Sequence, residues 1–435
     1  MLAHLDLRGL ATLSDLAARL PRPTMGGGGD EPVAVVRAIL ADVRERGDAA
    51  VREYTARFDG AELDDLAVPA EDLKRALDAI PSDLRQALET ARSNIDAFHR
   101  AEAAGEVTYE HPEVPGLRVR TLRRPVDRAG CYVPGGRAVY PSTLLMTAVP
   151  ARAAGVGEVV VCVPPDGGGR VPEAVLAAAA LAEIDALFRV GGAQAVAAMA
   201  YGTESIPKVD VIVGPGNIYV AIAKREVAGD GAVSVPASFA GPSEVVVVAD
   251  DTAPADAAAI DLIVQAEHGP DGLAWLITWS PDARDSITET VTRLTATAPR
   301  QAEIEATLRQ NGYAVLVNGP DEAIAVANLI APEHLQLMTS DPEALVPLVR
   351  HAGAVFLGPW APASIGDYVA GPNHVLPTFG SARFAGALTL DDFTKPVHVI
   401  EADKRALETL APHVQALATA EGLAAHAESV RIKRA

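Results

Sequence analysis

From residue 130 to residue 357 the sequence alternates short apolar, β-branched runs with segments of helical periodicity. The runs have the length and composition of strands that are buried on both faces. Strands separated by helices predict βαβ units, and therefore a parallel sheet. The predicted strands cover 158–163, 186–190, 209–213, 244–250, 273–278, 314–317 and 354–357.

This pattern starts a second time at residue 244, where E-V-V-V-V-A-D resembles the E-V-V-V-C-V of 158–163. We therefore predict an α/β protein with two halves of similar strand order. Helical spacing also predicts helices near 30–47, 48–58 and from 82, two short strands at 107–109 and 117–122, and a helical tail over 402–434.

Composition restricts the class of partner and the compartment. The chain has 435 residues and a net charge of −20, which argues against a nucleic acid or an anionic membrane as the main partner. The two cysteines form no CxxC pair, so no disulfide framework is expected. The charged first ten residues do not resemble a signal peptide, and no apolar window is long enough for a membrane span. We expect a cytoplasmic protein.

Glycine-rich loops follow two of the predicted strands, at 191–194 and 214–217. Ligands of open α/β sheets bind beyond the carboxyl ends of strands, where backbone amides and a helix N-terminus favour a phosphate. Neither loop has the G-x-G-x-x-G pattern, so each is equally typical of a plain turn. Gly135 and Gly136 form a third loop of the same kind.

Four side chains are candidates for holding a metal ion. Gln265 and His268 lie three residues apart at a predicted helix end, which places them on one face. Asp367 lies in a long Gly/Pro-rich segment, and His426 lies on the tail. Together they would form a mixed nitrogen and oxygen set suited to zinc or a similar divalent ion. Spacing alone does not bring the four together, and each alone is typical of a surface residue.

The dipeptide Glu333-His334 follows a predicted helix. A carboxylate beside an imidazole can perform general acid and base chemistry near neutral pH, with the carboxylate activating a water molecule. The alternative interpretation is an exposed pair in a loop.

Eight short motifs occur in an order that resembles the histidinol dehydrogenase family over nearly the whole chain. They are C-Y-V-P-G-G (131–136), V-G-G-A-Q-A (190–195), G-P-G-N (214–217), A-G-P-S-E (240–244), Q-A-E-H-G (265–269), A-P-E-H-L (331–335), G-D-Y-V-A-G-P-N-H-V-L-P-T (366–378) and E-G-L-A-A-H (421–426). Each motif is modestly specific, whereas the ordered set is very specific.

This resemblance implies oxidation of L-histidinol to L-histidine through the aldehyde, in two NAD-dependent steps with one zinc ion per subunit. It also implies two incomplete Rossmann-like domains in an interlocked homodimer. The implied division is an N-terminal segment 1–27 with dimer contacts, a first domain of 28–128 and 242–388 with the metal and catalytic residues, a second domain 129–241 on the NAD side, and a helical tail 389–435 that reaches the partner subunit.

The resemblance also assigns roles to individual residues. The zinc ligands would be Gln265, His268, Asp367 and His426, with His426 donated by the partner subunit. Glu333 and His334 would be the acid/base pair. Histidinol would be contacted by Ser243, His374 and Glu421, together with His334 and the zinc ligands. NAD would be contacted by Tyr132, Gln194 and Asn217.

One position departs from the family pattern. Ala237 stands where an Asp is expected shortly before A-G-P-S-E. The departure leaves open a related zinc- and NAD-dependent dehydrogenase that acts on another small alcohol, such as a dihydroxypropane sulfonate. A zinc-stabilised dimer without activity is a further alternative, which the intact Glu333-His334 pair disfavours.

Overall fold

The structure is a computed structural model that describes residues 1–9, 12–21, 30–136, 138–236, 243–267, 269 and 272–434. The strands are β1 (Ala3–Asp6), β2 (Val107–Glu110), β3 (Leu117–Pro125), β4 (Arg128–Tyr132), β5 (Glu158–Cys162), β6 (Ala186–Phe188), β7 (Val211–Val213), β8 (Glu244–Ala249), β9 (Leu273–Thr278), β10 (Gly312–Leu316), β11 (His334–Met338), β12 (Ala354–Leu357) and β13 (Thr394–Ala402).

The helices are α1 (Leu13–Arg19), α2 (Asp30–Arg46), α3 (Asp48–Asp59), α4 (Ala70–Ala79), α5 (Ser82–Glu102), α6 (Pro141–Ala153), α7 (Glu173–Leu181), α8 (Gly192–Tyr201), α9 (Ile218–Gly229), α10 (Ala255–Ala266), α11 (Pro281–Thr295), α12 (Gln301–Asn311), α13 (Pro320–Ile330), α14 (Ala363–Tyr368), α15 (Lys404–Ala420) and α16 (Ala424–Arg434). None of these described helices is both long and apolar enough to cross a membrane.

One parallel sheet has six strands in the order β1-β10-β9-β8-β11-β12. Helices cover both of its faces. Val245 and Val247 of β8 pack against α10, α11 and α12, whereas Val246 and Val248 pack against α1 and α13. Burial on both faces explains why β8 is a continuous run of valines and does not alternate with polar residues.

A second parallel sheet has four strands in the order β6-β5-β4-β7. Val159 and Val161 of β5 face α4, α5, α6 and α7, whereas Val160 and Cys162 face α2, α3, α8 and α9. When the strands are numbered by their order along the chain, β6-β5-β4-β7 reads 3-2-1-4, and so does β10-β9-β8-β11. The predicted α/β fold with parallel sheets is confirmed.

A third sheet, β13-β3-β2, is antiparallel. The chain leaves β13 into α15, which packs on that strand, and α16 packs on α15. Residues 394–402 therefore form a strand inside the segment predicted as a helical tail. Strand β13 contains the β-branched residues Val397, Val399 and Ile400, but Pro396 and the short alternation around His398 make it a weak strand pattern.

Helices α2, α3, α4 and α5 lie within residues 28–128 and pack against the four-stranded sheet. Where the boundaries of the domains lie remains a prediction.

Candidate active site

The Glu333-His334 pair lies at the amino end of strand β11. Helix α13 ends at Ala331, whose left-handed backbone (φ 54°) turns the chain into the sheet. His334 then pairs with Val245 of β8 and with Ala354 of β12. Glu333 is 8% exposed and His334 3%, so the alternative interpretation of an exposed loop pair is wrong.

Hydrogen bonds fix both members of this pair. Glu333 Oε2 accepts from the Glu244 backbone N–H at 2.9 Å. His334 Nδ1 lies 3.1 Å from the Glu244 carbonyl oxygen, and its Nε2 lies 3.2 Å from Asp367 Oδ1. Both ring nitrogens face acceptors, so both donate and the ring is favoured as an imidazolium. The His334 ring also stacks on Phe356, with 5.8 Å between centroids.

The charges around His334 determine its proton affinity. Burial lowers the pKa of His334, but the carboxylates of Glu333 and Asp367 outweigh it and raise the pKa to about 10. Glu333 Oε2 lies 3.4 Å from Nδ1 and supplies the larger of the two charge effects. The site therefore holds a proton between two carboxylates.

Asp367 also connects this pair to His374. Asp367 lies on α14, and its backbone oxygen accepts from His374 Nδ1 at 2.8 Å. With Nδ1 donating, His374 Nε2 is free to accept from the Thr143 hydroxyl, 3.2 Å away on α6. Burial lowers the pKa of His374, which favours this neutral ring. His374 thus joins the amino edge of the six-stranded sheet to a helix of the four-stranded one.

Ser243 and Gln265 lie close to each other at the same edge. A Cβ on Gly272 would lie 3.2 Å from the Gln265 carbonyl oxygen and 3.3 Å from that of Ser243. Gln265 is 1% exposed, and neither polar atom of its amide has a hydrogen-bond partner within the described part of the chain. A buried, unpaired amide is costly, so it marks a position where a ligand would be stabilising. His268 and Ala237 lie outside the described residues.

Glu421 and His426 are placed differently from the other predicted site residues. Glu421 directly follows α15, His426 lies on α16, and both are exposed. Their helices pack on β13 and on each other, so the single chain presents these two side chains to solvent.

The loops predicted for the cofactor lie at the carboxyl edge of the four-stranded sheet. Tyr132 ends β4, and its hydroxyl accepts from the Gly192 N–H at 3.0 Å, at the start of α8. Gln194 is 1% exposed, and both polar atoms of its amide lack a partner among the described residues. The amide packs against Gly192, where a Cβ would come within 2.6 Å of Gln194 Oε1.

Asn217 caps helix α9, and its Oδ1 accepts from the backbone N–H groups of Tyr219 and Val220, each at 3.1 Å. This role belongs to an N-cap residue and leaves the amide nitrogen of Asn217 to other partners. The loop before Asn217 is stabilised by Lys224, whose buried ammonium donates to the Gly214 carbonyl oxygen.

Three residues of this arrangement carry no role in the sequence analysis: Glu244, Thr143 and Lys224. Glu244 had a detectable signal, since a charged residue begins an otherwise apolar buried run. Burial, followed by the charge of Glu333, raises the pKa of Glu244 to about 8. Thr143 and Lys224 lie in apolar helical segments, where nothing in the spacing distinguishes them.

The donors available for a metal ion are incomplete within one chain. Among the described residues no three His, Cys, Asp or Glu side chains converge as a metal site. Asp367 and the unpaired Gln265 amide supply oxygen donors, the preference of a hard or borderline cation. The two histidines of the predicted set are the undescribed His268 and the exposed His426.

Comparison with known proteins gives a consistent result. The sequence profile of the family described as "Histidinol dehydrogenase" matches residues 28–434. Histidinol dehydrogenase of Parasynechococcus marenigrum is 48% identical, over 95% of this chain and 93% of its own length. The corresponding protein of Geobacillus kaustophilus is 44% identical, over 95% and 96%. The crystal structure of histidinol dehydrogenase from Elizabethkingia anophelis superposes with a TM-score of 0.93 at 34% identity, over 99% of this chain and 97% of that one.

Proposed function

The chain belongs to the histidinol dehydrogenase family, and on this basis we propose that it oxidises L-histidinol to L-histidine through L-histidinal, with two molecules of NAD+ and one zinc ion, at the end of histidine biosynthesis. The observation that carries the proposal is the network of the buried Glu333 and His334 with the half-buried Asp367, at the edge where Gln265 is unpaired. Such a network combines proton transfer with a polar position for a cation.

His334 exchanges the proton of the reacting alcohol in this proposal. The Glu244 carbonyl holds Nδ1, so Nε2 is the nitrogen that gives and takes the proton. Asp367 holds that proton in place through its carboxylate, which raises the pKa of His334. A cation bound to Asp367 would withdraw this charge and lower the pKa of His334 towards the range of a base.

Glu333 acts in the second oxidation. Its carboxylate is fixed by the Glu244 N–H and is nearly excluded from solvent. There it takes one proton from a water molecule as the water oxygen adds to the aldehyde carbon, while the carbonyl oxygen takes a proton from His334, which gives the hydrated aldehyde that is oxidised to the acid. Burial protects the aldehyde from side reactions in bulk water.

The residues present fit a zinc ion. Gln265 and Asp367 would hold it together with His268 and the partner's His426, and the unpaired amide of the buried Gln265 supports this set. When bound, zinc would orient the amino group and imidazole of the substrate and polarise its reacting oxygen. Ser243, His374 and Glu421 would contact histidinol around it.

The residues at the carboxyl edge of the four-stranded sheet fit NAD. The unpaired amide of Gln194 offers polar contacts at a helix N-terminus, which favours a phosphate, and Tyr132 and Asn217 fix the neighbouring loops. When bound, NAD+ would accept the hydride of each oxidation. The strand order 3-2-1-4 of both sheets supports two incomplete Rossmann-like domains.

The proposal includes an interlocked homodimer in the cytoplasm. It is supported by the exposure of Glu421 and His426, since these side chains require a second chain to complete the site.

The substrate is tested by incubating the protein with zinc, NAD+ and L-histidinol. We expect two NADH for each histidine formed, measured by absorbance and amino-acid analysis. No turnover of histidinol, with turnover of a dihydroxypropane sulfonate, would reject the assignment in favour of the related enzyme that Ala237 leaves open.

Glu333→Gln tests the assignment of the base. The substitution keeps the shape of the side chain but removes the base, so we expect oxidation of added histidinal to fall by about 10²–10⁴-fold. Zinc content, measured by atomic absorption, should be unchanged, because Glu333 is not among the proposed ligands. An unchanged rate with histidinal would contradict the role of Glu333.

A further inference from the structure

Glu244 has no role in the proposed mechanism, yet it contacts both of the proposed acid/base residues. It is the first residue of β8 and is 3% exposed. Its backbone N–H donates to Glu333 Oε2 at 2.9 Å, and its backbone oxygen faces His334 Nδ1 at 3.1 Å. One peptide segment therefore orients both the carboxylate and the imidazole.

The side chain of Glu244 holds a third segment. Its Oε1 accepts from the backbone N–H of Phe379 at 2.9 Å. Phe379 has a left-handed backbone (φ 52°), which is unfavourable for a residue with a side chain and needs support from its surroundings. This turn closes the motif that carries Asp367 and His374, so the carboxyl of Glu244 ties that motif to β8.

The charge of Glu333 also affects the carboxyl of Glu244. The titratable groups of the described chain that act on the Glu244 carboxyl are Glu333 and His334, and β9 places the apolar Leu273 beside its backbone. Burial and the charge of Glu333 raise the pKa of Glu244 to about 8. Burial and repulsion by Glu333 therefore favour the protonated form of Glu244 at neutral pH.

We propose that Glu244 is a positioning residue that stays uncharged at neutral pH, secures the turn at Phe379, and leaves the negative charge of the pair to Glu333. This inference rests on the proposed function, because it assigns Glu333 as the base of the aldehyde step. An ionised Glu244 would repel Glu333 and disturb its hydrogen bond to the β8 backbone.

The test compares Glu244→Ala and Glu244→Gln with wild type in separate assays of histidinol and histidinal oxidation, over the neutral and alkaline pH range. The alanine variant loses the bond to Phe379, so kcat with histidinal should fall by about tenfold or more while KM changes little. Glutamine keeps an acceptor for Phe379 and carries no charge, so it should recover part of that loss.

The pH profile separates positioning from simple structural support. Above about pH 8 wild type should lose rate with histidinal as Glu244 ionises, and the glutamine variant should lack this loss. The ratio of the Glu244→Gln rate to the wild-type rate with histidinal should therefore rise with pH. Glu158→Gln is the matched control, because Glu158 begins β5 of the other sheet and pairs with Arg128. Its profile should follow wild type.

A flat ratio across pH, or equal losses in the alanine and glutamine variants, would overturn the inference. Thermal unfolding of each variant shows whether a loss of rate reflects loss of fold. A wild-type protein that forms no NADH from histidinol would reject the proposed function itself, and that outcome is distinct from an effect of Glu244.

Discussion

Lys224 illustrates how a single buried charge can make the stability of this protein depend on pH. It lies on α9, is 2% exposed, and donates to the Gly214 carbonyl oxygen. Burial lowers the pKa of Lys224 to about 7, whereas an unfolded chain restores a pKa near 10.4. Between these two values the unfolded state binds more protons than the folded state, so stability should rise with pH.

Lys224→Met should remove that dependence, because it replaces the ammonium with an uncharged side chain of similar length. From the two pKa values, the free energy of unfolding of wild type should gain about 2 kcal/mol from Lys224 between pH 7 and pH 9, and the variant should lack this gain. Urea unfolding at the two pH values measures the difference. The exposed Lys208→Met is the control, and an equal pH slope in wild type and Lys224→Met would contradict the assignment.

The hydrogen-bond partners of the site residues could not be predicted from the sequence. The motifs named Glu333, His334 and Asp367, and general chemistry suggested what they do. However, the bond from Glu244 to Glu333 joins residues 89 positions apart, and that from His334 to Asp367 joins residues 33 apart. Such contacts depend on the strand order and on the ends at which the strands begin, which spacing along the chain does not encode.

At the scale of elements, strongly patterned strands were predictable and weakly patterned ones were not. Continuous apolar runs identified β5, β8 and β9, because burial on both faces leaves an unmistakable composition. In contrast, β11 begins with His334 and contains Gln336, both of them buried polar residues. These polar side chains serve the site. The continuous apolar pattern that identifies a buried strand is therefore interrupted in the strand that carries the site.

The position of the site within the sheets was also not predictable. The glycine loops lie at carboxyl ends of strands, as the general rule for open α/β sheets leads one to expect. Glu333 and His334 instead lie at the amino edge of the six-stranded sheet. His374, through Thr143, joins this edge to a helix that packs on the four-stranded sheet.

The loop after β7 offers a prediction at this scale. Gly214 has a left-handed backbone (φ 104°), and a Cβ there would overlap the Tyr132 carbonyl oxygen. Gly214→Ala should cost about 2 kcal/mol or more of stability and raise KM for NAD several-fold, because it displaces the loop that precedes Asn217. Gly231→Ala is the matched control: its φ is 67°, no atom lies within 4 Å of the added Cβ, and about 1 kcal/mol is expected. Equal unfolding free energies and equal KM values for the two variants would contradict this account.

At the scale of the whole molecule, the tail carries apolar side chains that the described part of the chain leaves exposed. Leu417, Leu423 and Ile432 of this region are exposed, at 66%, 43% and 59%. Exposed apolar side chains of this kind, in the same segment as the exposed Glu421 and His426, are typical of a surface that a partner covers. The sequence motif indicated that the tail belongs to the site, whereas Glu421 and His426 are exposed in the single chain.

Mixing two inactive variants tests whether the tail acts on the partner subunit. Glu333→Gln removes the base from the site of its own chain, and His426→Ala removes the proposed ligand from the tail. If tails are exchanged, a mixed dimer holds one site with both defects and one site with neither. Random pairing of equal amounts should then restore about a quarter of wild-type activity, because half of the dimers are mixed and each has one intact site. If the tail served its own chain, every site would keep one defect and the mixture would stay inactive. Denaturation and joint refolding of the two variants, followed by measurement of the histidine formed from histidinol and with each variant refolded alone as the control, distinguishes the two arrangements.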